Sequence, residues 1–322
     1  MPRVLILGGA GYLGLAVGQA LLRSGNHSVF ATTRSADKID LLTANEITAI
    51  HGEATDVEFL TGVIANYHID VVVDTTTAYQ DVTRILEGAA QAARERAAIL
   101  ARDNAVGPKL GFVYTSGTWV HGSPDRRVND LTVPGTSLAP SAPGSIVAWR
   151  PAHEQAVLAA RDVLDVAVLR PGNIYGRGSW VLTTWWDPLL KAAESGSEDP
   201  VSVLVEEKTR AGVVHVDDLG AAYVSVIDKI GGNLGNWPVF ELLTETVPVT
   251  DMLSAVAKVL GVKGQIRYEG TQGNPFLEAL GLSSNTDASR ARSILGWDPK
   301  RKDFIQNLPT IVEAWRVSKK LN

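Results

Sequence analysis

The chain has 322 residues, 45% apolar and 20% charged, with 30 basic and 35 acidic side chains for a formal charge of −5. That profile suits a soluble globular protein of one large or two ordinary domains. It excludes a disordered, collagen-like or disulfide-scaffold chain. There is no basic surplus, so no nucleic-acid partner is expected, and the absence of cysteine rules out disulfides, thiolate nucleophiles and cysteine-ligated metals.

The uncharged stretch from Val4 to Leu22 is broken by Gly8, Gly9, Gly11, Gly14 and Gly18. It reads as a folded element rather than a signal peptide, and no other run nears the roughly 18 residues of a membrane span. A cytoplasmic protein with no membrane contact is expected, as a monomer or homodimer.

In chain order, Val4 to Leu7 is a continuous apolar run, as in a strand buried on both faces of a parallel sheet. Tyr12 to Arg23 follows as a helix closed by Gly25. His27–Thr33, Ile47–His51, Asp70–Asp74 and Gly111–Thr115 read as further strands. Between them Ser35–Ala44, Val57–Tyr67 and the alanine-rich Asp81–Asp103 read as helices. This β-α alternation predicts an α/β fold, a Rossmann-type doubly wound parallel sheet. The Pro-, Ser- and Gly-rich stretch 122–144 is a long loop. A helix over Pro151–Ala160, a strand over Val166–Arg170 and a helix over Asp217–Ile230 come next. The expected division is a dinucleotide-binding domain over 1–176, to which 212–231 return, and a smaller α+β substrate-binding part over 177–211 and 232–322. Trp119, Trp149, Trp180, Trp185 and Trp186 are candidates for a flat apolar pocket.

Gly8-Gly9-Ala10-Gly11-Tyr12-Leu13-Gly14 places G-x-x-G-x-x-G between the first strand and the first helix. The first glycine permits a tight turn, the second lets backbone approach a pyrophosphate, and the third lets helix and strand pack closely. The helix N-terminus then offers free N–H groups to the anion. An NAD reader carries an acid about 20 residues further on. Here that stretch is Ala31-Thr32-Thr33-Arg34-Ser35, with no acid before Asp37. Arg34 suits a ribose 2′-phosphate, so NADP(H) is the preferred cofactor and NAD(H) the other option.

The spacing resembles the atypical and extended short-chain dehydrogenase/reductases, the NAD-dependent epimerase/dehydratase family, over nearly the whole chain. The resemblance lies in the glycine turn and in His51-Gly52-Glu53-Ala54-Thr55-Asp56, similar to the family's adenine loop. It continues in Tyr114-Thr115-Ser116-Gly117-Thr118-Trp119-Val120-His121-Gly122, Leu169-Arg170-Pro171-Gly172-Asn173-Ile174-Tyr175-Gly176 and Val214-His215-Val216-Asp217-Asp218-Leu219. It ends in Asp287-Ala288-Ser289-Arg290-Ala291 with Leu295-Gly296-Trp297. It implies cofactor contacts at Gly8, Gly11, Tyr12, Leu13, Gly14, Arg34, Glu53, Ala54, Thr75, Thr76, Thr77, Thr115, Ser116, Arg150, Pro171 and Asn173.

The family's Y-x-x-x-K pair does not carry over. Anchored on Glu154, the lysine place holds Arg150 and the tyrosine place holds Ile146, which has no proton to give. Arg150 can donate to ribose hydroxyls, but its pKa is too high for a proton relay. The family's serine or threonine place falls on Gly117. Tyr79, Thr118 and His121, near the ends of the fourth and fifth strands, are therefore the candidate acids, with His153 a further histidine nearby. No histidine spacing fits a metal site. The expected activity is an NADP(H)-dependent oxidoreductase acting on a small carbonyl or alcohol. The alternatives are a cofactor-retaining epimerase, dehydratase or lyase, and a non-catalytic NADP(H)-sensing protein.

Overall fold

The computed structural model describes residues 1–321. Its first part alternates β1 (Arg3–Leu7), α1 (Tyr12–Ser24), β2 (Ser28–Thr33), α2 (Ile39–Ala44), β3 (Thr48–His51), α3 (Val57–Asn66), β4 (Val71–Asp74), α4 (Val82–Arg102) and β5 (Leu110–Thr115). Then come β6 (Val128–Asn129), α5 (Arg150–Ala159), β7 (Leu164–Pro171), β8 (Asn173–Tyr175), α6 (Thr183–Ser195), β9 (Val201–Val203), β10 (Arg210–His215) and α7 (Val216–Ile227). The chain closes with β11 (Val239–Leu242), β12 (Glu245–Pro248), α8 (Val249–Leu260), β13 (Ile266–Tyr268), α9 (Pro275–Leu280), β14 (Thr286–Asp287) and α10 (Phe304–Leu321).

Seven strands form one sheet in the order β11-β7-β5-β4-β1-β2-β3, with every neighbouring pair parallel. Helices α1 and α7 cover one face and α3, α4 and α5 the other. Both faces of β1 are therefore buried, which is why Val4 to Leu7 could be apolar without alternation. Helix ends follow local chemistry. Gly25 closes α1 at φ 72°, its N–H donating to the Leu22 carbonyl. The Asp56 carboxylate caps α3 by accepting the Phe59 N–H at 3.0 Å. Strand order reverses between β1 and β4, so the carboxyl ends of those two strands open a crevice there.

The second unit is built on the antiparallel pair β10–β12, with β8 parallel to β10. Helices α6, α8 and α10 bury Trp185, Trp186, Leu253, Phe304 and Trp315 against it. Trp185 and Trp186 are thus core residues of this unit, with Trp186 bordering only a small cavity beside Leu182 and Trp315.

Two boundaries differ from the sequence expectation. Strand β11 returns to the edge of the large sheet, with Val239 opposite Val168, and Ala288, Ala291, Leu295 and Trp297 pack into the α1/α7 face. Conversely, 212–215 lie in the second sheet, and only α7 returns to the first. The 122–144 loop is tied down where β6 pairs with β14, Val128 opposite Thr286.

Candidate functional site

The crevice at the β1/β4 switch is a cavity of about 310 Å³. Gly8, Ala10 and Gly11 form its floor. Thr32, Thr33, Arg34, Ser35 and Lys38 form one wall, Gly52 to Thr55 its end, and Thr75 to Ala78 the other wall. Gly8 sits at φ 73°, in the left-handed region, and a Cβ there would lie 3.3 Å from the Thr75 carbonyl oxygen. A Cβ on Gly14 would meet the Gly8 carbonyl oxygen at 2.4 Å. Only bare backbone fits at these positions. Gly11 caps α1 without a side chain, so the first-turn N–H groups remain free for an anion. This donor set fits the pyrophosphate of a dinucleotide. Tyr12 contributes through its backbone alone, because its hydroxyl is committed to the Gly176 carbonyl at 2.6 Å. Leu13 packs into the core face.

At the outer end of the cavity Arg34 and Lys38 stand together. Arg34 is largely exposed and lies 3.6 Å from the Glu53 carboxylate. Lys38 is the cation that sequence reading missed. Its signal was its position four residues after Arg34, on the short turn of 36–38 that precedes α2.

The inner end is made by the tip of β4, with β5 the next strand in the sheet. Thr75 Oγ1 donates to the Leu7 carbonyl at 2.7 Å, and Thr76 donates from both N–H and Oγ1 to Asp74 Oδ1 at 2.9 and 2.8 Å. Burial pushes the Asp74 carboxyl up to about 6 despite those bonds and the nearby Arg150. Thr115 Oγ1 is bonded to the Tyr223 hydroxyl at 2.6 Å. Ser116 Oγ and Arg150 Nε are buried without a partner. The Arg150 guanidinium lies beside two rings, with Cζ 5.9 Å from the Tyr79 centroid and 5.6 Å from the Trp149 centroid.

The candidate acids separate. Tyr79 is 53% exposed, following Ala78 of the crevice wall, with its ring beside Arg150. Thr118 is buried and faces the junction with the second sheet, lining a small cavity with Asn173, Gly212 and Ser284. Asn173 itself accepts the Trp119 indole N–H at 3.1 Å, and Pro171 ends β7 beside Leu242. His121 requires a correction. Its side chain is 1% exposed, and its Nε2 lies 2.7 Å from Glu241. Glu241 also binds Arg170 Nη1 at 2.9 Å, and Glu154 binds Arg170 Nε and Nη2 at 3.1 and 2.6 Å. His121 is thus a member of a buried ionic network and not a proton donor at the crevice. His153 is buried with neither ring nitrogen partnered, its edge against Tyr114, and burial with the nearby Arg150 holds its pKa down near about 4. Of the tryptophans, Trp119 and Trp180 do meet, through Phe276, as an aromatic surface.

Among the described residues no group of three or more His, Asp or Glu is placed to hold a metal, and no helix is long and apolar enough to cross a membrane.

Solved structures with this fold include three relatives. One is a dTDP-glucose 4,6-dehydratase from Bacillus anthracis in complex with NAD, at 18% identity over 99% of this chain and 98% of that one, TM-score 0.70. Another is a UDP-glucose 4-epimerase from Thermotoga maritima with UDP-glucose, at 19% identity over 99% and 100%, TM-score 0.72. MoeE5 in complex with UDP-glucose and NAD shares 21% identity over 98% and 99%, TM-score 0.72. At these identities the likeness is one of fold. No curated protein matches the sequence. The model of the NAD dependent epimerase/dehydratase family matches residues 4–235. That match takes in the glycine cradle, the β5 tip and the β7–β8 turn, and by it the chain belongs to the NAD-dependent epimerase/dehydratase family.

Proposed function

We propose that this chain is an NADP(H)-dependent oxidoreductase of the atypical extended type, acting on a carbonyl or alcohol carbon of a small substrate. The observation that supports it is the pair of cations, Arg34 and Lys38, at the end of the crevice where an NAD reader holds an acid. The Arg34–Glu53 contact is exposed and long. Such pairs contribute about 0–1 kcal/mol, so the guanidinium is readily redirected to a phosphate.

A bound nicotinamide supplies or accepts the hydride. The chain's own part is position and a proton. The glycine cradle and the α1 N-terminus hold the pyrophosphate. Trp149 and the stem of Arg150 wall off water at the inner end. The Tyr79 hydroxyl, beside the guanidinium and free of secondary structure, exchanges the proton with the substrate oxygen. Such a positioned acid contributes roughly 10²–10⁴ in rate.

A second reading is favoured by the family itself and by the dehydratase and epimerase that share the fold. In it the cofactor, NAD(H) held through Glu53, is retained and returned to its starting state each cycle. NADPH and NADH titrations on wild type, Arg34→Ala and Lys38→Ala test the first reading. Charge-assisted bonds of about 1.5–3 kcal/mol predict a preference of roughly tenfold to 150-fold for NADPH, lost in Arg34→Ala. Equal wild-type affinities refute it. Product formation without net cofactor change identifies the second reading, and absence of any turnover on a carbonyl panel identifies a sensor.

A further inference from the structure

We propose that Arg150, whose guanidinium lies against the bare β5 tip at Gly117, is the anchor for a carboxylate on the substrate. The assignment rests on the reading above, which puts the reacting carbon at this edge of the sheet.

The fold shows how it treats a structural buried guanidinium. Arg170 is saturated, with Glu154 on two of its nitrogens and Glu241 on the third. Arg150 is treated in the opposite way. Its Nε is buried without an acceptor, and among the described residues no carboxylate comes within ion-pair distance of it. Two aromatic rings flank it instead, Trp149 and Tyr79. Rings accept the face of a guanidinium and leave its N–H edge unused. The fold thus holds the cation in place without neutralising it.

Gly117 explains how closely the guanidinium approaches the β5 tip. A Cβ added to Gly117 would stand 3.0 Å from Arg150 Nη1 and 3.6 Å from the Pro171 carbonyl oxygen. The backbone there is extended, with φ at 173°, so no conformational demand calls for glycine. The room that the missing side chain leaves is taken by Nη1 itself, so the glycine lets the guanidinium lie against the β5 tip.

Chemistry then narrows the occupant. A planar guanidinium presents parallel N–H donors that match a carboxylate in a bidentate way. The other titratable groups that feel Arg150 are Asp74, Tyr114, His153 and Tyr223, none of which adds a fixed positive charge. A dianion would meet a single cation with the Asp74 carboxyl close by, whereas a monoanion is matched one to one. The substrate class that follows is a small carboxylic acid bearing the hydroxyl or carbonyl to be transformed, rather than a phosphorylated one. Arg150 then serves the substrate in place of the ribose contact that the family resemblance implies.

The test uses benzoate, its uncharged isostere benzamide, and inorganic phosphate as probes. Each is titrated calorimetrically with and without NADPH into wild type, Arg150→Gln, Arg150→Lys and Gly117→Val. The expected result is benzoate binding at least tenfold tighter than benzamide or phosphate in the wild type. That margin should vanish in Arg150→Gln and Gly117→Val and be partly kept in Arg150→Lys, with NADPH affinity unchanged throughout. Equal benzoate affinity in wild type and Arg150→Gln overturns the proposal. So does a tenfold loss of NADPH affinity in Arg150→Gln with benzoate unaffected, which would return Arg150 to the cofactor. Tighter binding of phosphate than of benzoate overturns the monoanion assignment. The cofactor-free benzoate titration is read whatever NADPH does, so failure of the wild type to bind NADPH refutes the cofactor reading separately.

Discussion

Replacing Arg170 by methionine removes the centre of the buried network while nearly keeping its shape. In the wild type one guanidinium faces two carboxylates, Glu154 and Glu241, and His121 supports Glu241. At an effective dielectric constant of about 20, unit charges separated by the 2.9 Å of the Arg170–Glu241 contact attract by roughly 6 kcal/mol before desolvation is counted. Desolvation offsets part of this, and breaking a buried pair costs about 3–5 kcal/mol. Arg170→Met should sit at the upper end, because it strands two carboxylates. Glu241→Gln should cost less, about 1.5–3 kcal/mol, because the Arg170–Glu154 pair it leaves is neutral. Urea unfolding at pH 7 reads both, and total stabilities of 5–15 kcal/mol make either loss easy to see. The pH dependence has a definite sign. Burial pushes Glu241 up, but His121 and Arg170 outweigh it and hold its pKa below the ordinary carboxylate value. The unfolded chain therefore takes up the proton first as pH falls. The network's contribution is complete above the ordinary carboxylate range and is lost below it. In Arg170→Met the carboxylates protonate, so its deficit should shrink toward pH 4. A loss below about 1 kcal/mol at unchanged m, or a larger loss in Glu241→Gln than in Arg170→Met, refutes the account.

Gly14→Ala puts a Cβ 2.4 Å from the Gly8 carbonyl oxygen and 2.8 Å from Gly9 Cα, so backbone must shift. It should cost about 1–3 kcal/mol in urea unfolding and abolish NADPH binding by fluorescence titration. Tyr79→Phe should leave the NADPH dissociation constant unchanged and lower the steady-state turnover number by roughly 10²–10⁴. A fully active Tyr79→Phe enzyme removes Tyr79 as the proton donor.

The large sheet was legible because both faces of its strands are covered, so that Val4–Leu7 and Val71–Val73 carry their burial in plain apolar runs. The cradle was legible because bare backbone has only one residue type to express it. Strand β11 was not, since Val239-Phe240-Glu241-Leu242 contains a charge. That charge is neutralised only by Arg170 and His121, 71 and 120 residues away in the chain. The same separation hid the fate of His121, which read as a candidate acid until Glu241 was placed against it. Trp185 and Trp186 were ambiguous for a similar reason, because an aromatic pair reads alike whether it lines a pocket or fills a core. Arg150 could be aligned to a family position. Its freedom from partners is a property of what Trp149, Tyr79 and Gly117 leave around it, which no local pattern encodes.

The second sheet has a further consequence, one of kinetics. The chain crosses between the two units at Gly172 between β7 and β8, at the β10–α7 junction, between β11 and β12, before Ala288, and between Trp297 and α10. The first passage also lies close against the second sheet, since a Cβ on Gly172 would lie 2.9 Å from the carbonyl oxygen of Gly212 in β10. A lobe joined by one linker can swing as a rigid body, but one stitched at five places can swing only by bending strands. Ligand exchange in this protein is therefore a matter of rotamers and loop tips such as Tyr79 and Trp180, on timescales of picoseconds to microseconds, rather than of lobes closing over microseconds to milliseconds. Its turnover should then show no slow isomerisation between binding and chemistry, with selectivity residing in the shape and charge of the crevice.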